Sequence, residues 1–121
     1  MKPFSFRPCD RLRKKSEYQV VYERGRRAHS EVFTIHYMPN ACSRSRLGMS
    51  VSRKVGGAVV RNRIKRIARE VFRLHRERLF PNGHWDIHLI ARKPAGKLDS
   101  TELVRSIVEI LGKIERRDRP I

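Results

Sequence analysis

The sequence predicts a small single-domain fold of the α+β class, an α/β sandwich, and three observations predict it. The chain has 121 residues, 39% of them apolar, which suffices for one modest core. Helix-period segments and short β-branched or aromatic runs follow one another in the order α-β-β-α-β-α. No repeat and no low-complexity linker interrupts them, so residues 1–121 read as one domain.

The elements follow in chain order. Residues 1–15 are basic, contain Pro3 and Pro8, and read as an extended arm. Ser16, Glu17, Tyr18 and Gln19 fit a capping box, in which the Ser and Gln side chains satisfy orphaned backbone N–H groups at the start of a short helix. Tyr18, Val21 and Tyr22 share one face of it, and Gly25 is expected to stop it by adopting the left-handed conformation. Residues 32–38, rich in β-branched and aromatic side chains, read as a strand ended by Pro39 and Asn40. Residues 47–52 alternate and read as a second strand. Leu47, Met49 and Val51 are expected to face the core, and Gly48, Ser50 and Ser52 to form a low polar face with room for a ligand or plain solvent. Gly56 and Gly57 break that strand before a long helix over residues 58–79, which Pro81, Asn82 and Gly83 stop. Residues 86–91 form a third strand and 93–96 a loop. Ser100 or Thr101 is expected to cap a last helix with the stripe Leu103, Ile107, Ile110, Leu111 and Ile114. It runs to about residue 115, and residues 116–121 read as a frayed tail.

The charge is extreme. Lys and Arg number 29 against 12 acids, a formal net charge of +17. Such a surplus repels itself unless a polyanion offsets it, and DNA, RNA and an anionic membrane all qualify. Cys9 and Cys42 match no metal or redox spacing and read as reduced thiols. No apolar run is long enough to span a membrane and the N-terminus lacks a signal-peptide pattern, so a soluble cytoplasmic protein is expected.

The helix over residues 58–79 sharpens this. At about 100° per residue, Arg66, Arg69, Arg73 and Arg76 fall within about 40° of Asn62. Val60, Ile64, Ile67, Val71 and Leu74 cluster on the opposite side, and Arg61, Arg63 and Lys65 flank the ridge. The ridge extends about 20 Å at 1.5 Å per residue. From Arg53 to Arg78 there are ten Lys or Arg and two acids, Glu70 and Glu77. A helix built for solubility mixes signs at i and i+4, whereas this one stacks like charges, as expected where phosphates supply the missing negative charge. Arginine predominates, which suits bidentate phosphate recognition. A merely solvated basic face is the bland alternative. A membrane-surface helix is disfavoured because the apolar stripe lacks bulky aromatic anchors. Tyr18 and Tyr22 on a neighbouring helix lean the reading toward single-stranded RNA, whose unpaired bases stack on aromatic rings, although core packing explains tyrosines equally well.

The segment Gly48-Met49-Ser50-Val51-Ser52-Arg53-Lys54-Val55-Gly56, followed by Ala58-Val59-Val60 and Arg61-Asn62-Arg63-Ile64-Lys65-Arg66, resembles the signature of the bacterial ribonuclease P protein family. Arg11-Leu12 with the short aromatic helix ending at Gly25, and Ala91-Arg92-Lys93-Pro94-Ala95, extend the resemblance over about residues 10–115. It implies a small mixed sheet like that of the second domain of ribosomal protein S5, with the long basic helix joining two parallel strands by a left-handed crossover, an exception to the usual hand. It implies a protein subunit that acts beside a catalytic RNA, the RNA hydrolysing one phosphodiester of precursor tRNA with bound Mg²⁺ to release the mature 5′ end. Lys54, Arg61, Asn62, Arg63, Lys65, Arg66, Arg69 and Arg73 are then expected to bind the catalytic RNA and phosphates. Tyr18, Tyr22, Phe33, His36 and Ser50 are expected to line a cleft for the 5′ leader. His36 departs from the family, where an aromatic is common at that position.

The residues do not suit a stand-alone nuclease. The acids are scattered, and the five histidines form no H-E-x-x-H or comparable pattern. His84 and His88 would share a strand face about 13 Å apart, too far for one metal. Gly96-Lys97 lacks the upstream glycine of a phosphate loop. No catalytic residue and no metal ligand is expected in the protein, and the resemblance implies Mg²⁺ bound mainly by the RNA. The expected partners are the catalytic RNA and precursor tRNA, with neither DNA nor membrane. The competing classes are a structural RNA-binding protein without a catalytic partner and a DNA-binding protein.

Overall fold

A computed structural model describes residues 11–12, 14–40, 44–81 and 83–117. The elements are α1 (Lys15–Arg24), β1 (Arg26–His29), β2 (Phe33–Pro39), β3 (Arg46–Ser50), α2 (Ala58–Leu79), β4 (Trp85–Ala91) and α3 (Ser100–Arg117), with a 3-10 turn at Lys93–Lys97. The sheet runs β1-β2-β4-β3. β1, β2 and β4 are antiparallel, whereas β3 and β4 are parallel and α2 connects them, giving the expected mixed sheet. Of the predicted arm, residues 1–10 lie outside the described residues, as do Cys9 and Cys42. Its end is structured: Arg11 bridges Leu47 and Lys15 opens α1. The helix predicted to end near residue 115 continues to Arg117, and residues 118–121 lie outside the description.

Strand alternation divides the sheet into two faces. Phe33, Ile35 and Tyr37 of β2, Leu47 of β3, and Ile87 and Leu89 of β4 are all buried in one core. The α3 stripe of Leu103, Ile107, Ile110, Leu111 and Ile114 closes that core, joined by Ile64, Ala68, Val71 and Phe72 of α2. The other face carries Gly48, Ser50, His88, Thr34 and His36, and α1 packs on it across β2 and β4 through buried Val21.

Several details differ from expectation. β1 was not predicted, because its sequence of two arginines, Ala28 and His29 shows a single buried residue and no apolar alternation. β3 stops at Ser50, so Val51 and Ser52 lie beyond the strand. Ser16 does not cap α1: the helix begins one residue earlier, and the Lys14 N–H donates to Glu17 Oε1 at 2.9 Å. Gly25 is extended at φ −82°, not left-handed. It must be glycine for another reason, since a Cβ there would sit 2.4 Å from the Val21 carbonyl oxygen and 2.7 Å from that of Tyr37. Asp99, rather than Ser100 or Thr101, caps α3: the Glu102 N–H donates to its Oδ1 at 2.8 Å, and its own N–H donates to Glu102 Oε1 at 3.1 Å. On α2, Leu74 is 46% exposed while Phe72 is fully buried, so the apolar stripe is rotated toward Ala68 and Phe72.

Candidate nucleic-acid interface

The α1-covered face gathers imidazole rings from the sheet beneath phenol rings from α1. Cross-strand register places Gly48, His88 and His36 in one row, β3 to β4 to β2. Tyr18 reaches down from α1 over this row. Its ring meets that of His88 edge-on at 4.8 Å, and its hydroxyl donates to the Leu12 carbonyl at 3.0 Å. Gly48 is what lets it do so: a Cβ there would lie 2.3 Å from the Tyr18 hydroxyl oxygen. The space expected above Gly48 for a ligand is therefore filled by this ring. Burial pushes the Tyr18 phenol up, so it remains a donor near neutral pH.

Tyr22, one turn on, is 66% exposed and lies 5.0 Å from the His36 ring, whose centroid is 6.3 Å from that of His88. The four rings form one continuous array. Ser50 Oγ and His88 Nε2 are hydrogen-bonded at 2.7 Å. Burial, reinforced by the neighbouring His36, holds His88 down at about 4. Burial, with Arg27 and His29 nearby, also lowers His36, which is only 6% exposed. Both imidazoles are therefore neutral near pH 7 and present flat, weakly polar rings. Phe33 is a correction. It alternates with His36 on β2 and is fully buried on the opposite face, in the core, so it cannot line the cleft.

A half-buried ionic network holds α1 in place. Arg46 donates from Nε and Nη2 to both oxygens of Asp86, at 2.8 and 2.6 Å, and from Nη1 to Glu17 Oε2 at 2.6 Å. Asn40 Nδ2 adds a bond to Asp86 Oδ1 at 2.7 Å. Glu17 precedes Tyr18, so this network fixes the cleft wall to the floor. Sequence reading overlooked it because its partners are dozens of residues apart.

Where α1, β3 and α2 meet, a cavity of about 350 Å³ opens, lined by Tyr18, Gly48, Leu12, Leu47, Met49 and three cations, Arg11, Lys65 and Arg69. Burial, with the nearby charge of Arg11, lowers Arg69. Among the described residues no carboxylate lines the cavity, a lining whose chemistry suits an anion beside an aromatic ring. Arg11 was absent from the predicted site.

The ridge on α2 is less uniform than the helical wheel suggests. Asn62 and Arg66 are exposed, as is Lys54 before the helix, and Arg61 is half-buried. Arg69 and Lys65 lean into the cavity. Arg63 donates to the Leu98 carbonyl at 2.7 Å and so serves the packing of the 3-10 turn. Arg73 pairs with Glu70, and Arg76 lies over the Phe72 ring at 5.8 Å. The part of the ridge that is exposed or lines the cavity is thus the N-terminal half, around Asn62, Lys65, Arg66 and Arg69.

Among the described residues, no group of three or more His, Cys, Asp or Glu is gathered to hold a metal, and no helix is long and apolar enough to cross a membrane.

Comparison with known proteins agrees with this geometry. Identity is 46% over 110 residues with the ribonuclease P protein component of Desulfovibrio desulfuricans, covering 88% of this chain and 83% of the relative. It is 45% over 116 residues with that of Desulfosudis oleivorans, covering 96% and 94%. The structure of the Staphylococcus aureus RNase P protein superposes with a TM-score of 0.81 at 33% identity, over 88% of this chain and 95% of that one. The Thermotoga maritima RNase P protein gives 0.76 at 32%, over 87% and 97%. With the Ribonuclease P family model matching residues 6–115, more than half its length, this chain belongs to the ribonuclease P protein family.

Proposed function

We propose that this chain is the protein subunit that binds both the catalytic RNA of ribonuclease P and the 5′ leader of precursor tRNA, promoting endonucleolytic removal of the leader in the cytoplasm. The N-terminal half of α2 docks on RNA phosphates. The leader enters the cleft between α1 and the sheet, stacking on Tyr22 and running over the His36 and His88 rings. The observation that carries the reading is the cavity where Tyr18, from the aromatic wall, meets Lys65 and Arg69, from the basic helix, with no carboxylate among the described residues that line it. A strand of RNA has this alternation of flat base and anionic phosphate.

The RNA subunit is the catalyst in this reading, and the Mg²⁺ of the reaction is held mainly by RNA. The protein's contribution is binding energy and positioning of the leader. Reconstitution tests it. Added to a bacterial catalytic RNA and precursor tRNA at low Mg²⁺, the protein should enhance cleavage at the mature 5′ end. No enhancement rejects the proposal, and a preference for duplex DNA over single-stranded RNA at equal salt would assign the basic surface to DNA.

A further inference from the structure

The floor of the cleft does not end at His36. The row that begins at Gly48 and passes through His88 and His36 continues into β1, where Arg27 is paired with His36. Directly opposed residues on antiparallel strands share a face, so Arg27 lies on the cleft side of the sheet. The next row repeats the arrangement: Ser50, Ile90, Thr34 and, on β1, His29. Both β1 residues are exposed, and Ala28 between them is buried in the core. Asp86, on the same face one row away, is bound at both oxygens by Arg46. An independent sign that this charge reaches the floor is that Arg27 and His29 both oppose protonation of His36.

From β3 to β1 is three strand spacings, about 14 Å. The cavity cations Arg11, Lys65 and Arg69 lie at one end of this path and Arg27 at the other, with the rings between them. We propose that Arg27, supported by His29, forms a second phosphate contact at the β1 edge of the cleft, holding the leader strand where it leaves the aromatic rings. Leader RNA would then be gripped by cations at both ends of the aromatic floor. This rests on the reading that the leader lies in the cleft. The bland alternative is that the β1 arginines only guard an open sheet edge against pairing with another chain.

The test is a series of precursor tRNAs whose leaders lengthen one nucleotide at a time, bound to reconstituted holoenzyme carrying the wild-type chain, Arg27→Ala, Arg27→Lys or Tyr22→Ala. With Arg27→Ala, the loss should grow with leader length to on the order of tenfold or more, as for one charge-assisted contact. The salt slope for the longest leader should fall by about 0.7, one single-strand phosphate. Arg27→Lys should keep the slope. An Arg27→Ala loss that is absent, or equal at every leader length, overturns the proposal. Absence accompanied by self-association would identify edge protection, and equal loss with weaker holoenzyme assembly would place Arg27 on the catalytic RNA. Tyr22→Ala separates the two levels of inference: if it too shows no dependence on leader length, the cleft reading itself fails, and if it keeps that dependence, only the β1 contact does.

Discussion

The two faces of the sheet draw on the same strands and meet opposite fates. Along β2, Phe33, Ile35 and Tyr37 point into a core sealed by two long helices, while Thr34 and His36 point into a cleft only partly covered by the ten-residue α1. One face is dry and apolar. The other is floored by neutral imidazoles and a serine, and edged by cations. If the leader lies in the cleft as proposed, stability and binding are segregated by strand parity: neighbouring residues in sequence serve different purposes, and a one-residue slip in register would exchange them.

The largest effect should come from breaking the dry face. Phe33→Ala is expected to cost about 3–5 kcal/mol, read from denaturant midpoints, because it leaves a cavity in a closely packed core. Arg46→Met should follow at about 2–4 kcal/mol, since it strands the buried Asp86 carboxylate. It should also loosen α1, seen as faster amide exchange from residues 15–24 than from α3. Tyr22→Ala reverses the pattern. Its stability should stay within about 0.5 kcal/mol of wild type, as for an exposed position, whereas binding of precursor tRNA should weaken by about 1–3 kcal/mol relative to mature tRNA. Equal loss for both RNAs would show that the ring does not read the leader.

The wet face also predicts a pH dependence. His88 is held at about 4 against an ordinary 6.5, so between those values the unfolded chain binds a proton that the folded chain does not. Stability attributable to His88 is therefore complete above about pH 6.5 and declines as the pH falls toward 4, by about 1–2 kcal/mol after allowing for solvent screening. His88→Gln should flatten the difference between midpoints measured at pH 7 and pH 5. The smallest effects belong to α2. Arg66→Ala should lower the salt slope of RNA binding by up to about 0.9, whereas Glu70→Gln, by releasing Arg73, should steepen it. An unchanged slope in both variants would detach the ridge from RNA.

Periodicity made the helices legible. The bounds of α2 and the whole α3 stripe follow from apolar spacing, because that spacing is itself a record of what each helix packs against. Strand parity made Phe33 and His36 separable in principle, but nothing local says which parity faces the core, and both were expected in the cleft. β1 escaped because an edge strand that buries only Ala28 has no alternation to read. The network of Glu17, Arg46 and Asp86 escaped because long-range ion pairs leave no local pattern. The Glu70–Arg73 pair, three residues apart, was legible, and reading the arginines as a uniform ridge passed over it. Arg11 joins the site only through the docking of residues 11–12 beside β3, a tertiary event.

Gly48 has a consequence beyond accommodating one ring. With nothing but hydrogen on its α-carbon, the floor lets the Tyr18 ring settle directly onto it, and so sets how closely α1 approaches the sheet there. Any larger residue would act as a wedge under Tyr18, prying that helix upward and widening the channel at the point where aromatic and cationic walls converge. Discrimination between a slender single strand and a bulkier duplex would then depend on the smallest side chain in the protein.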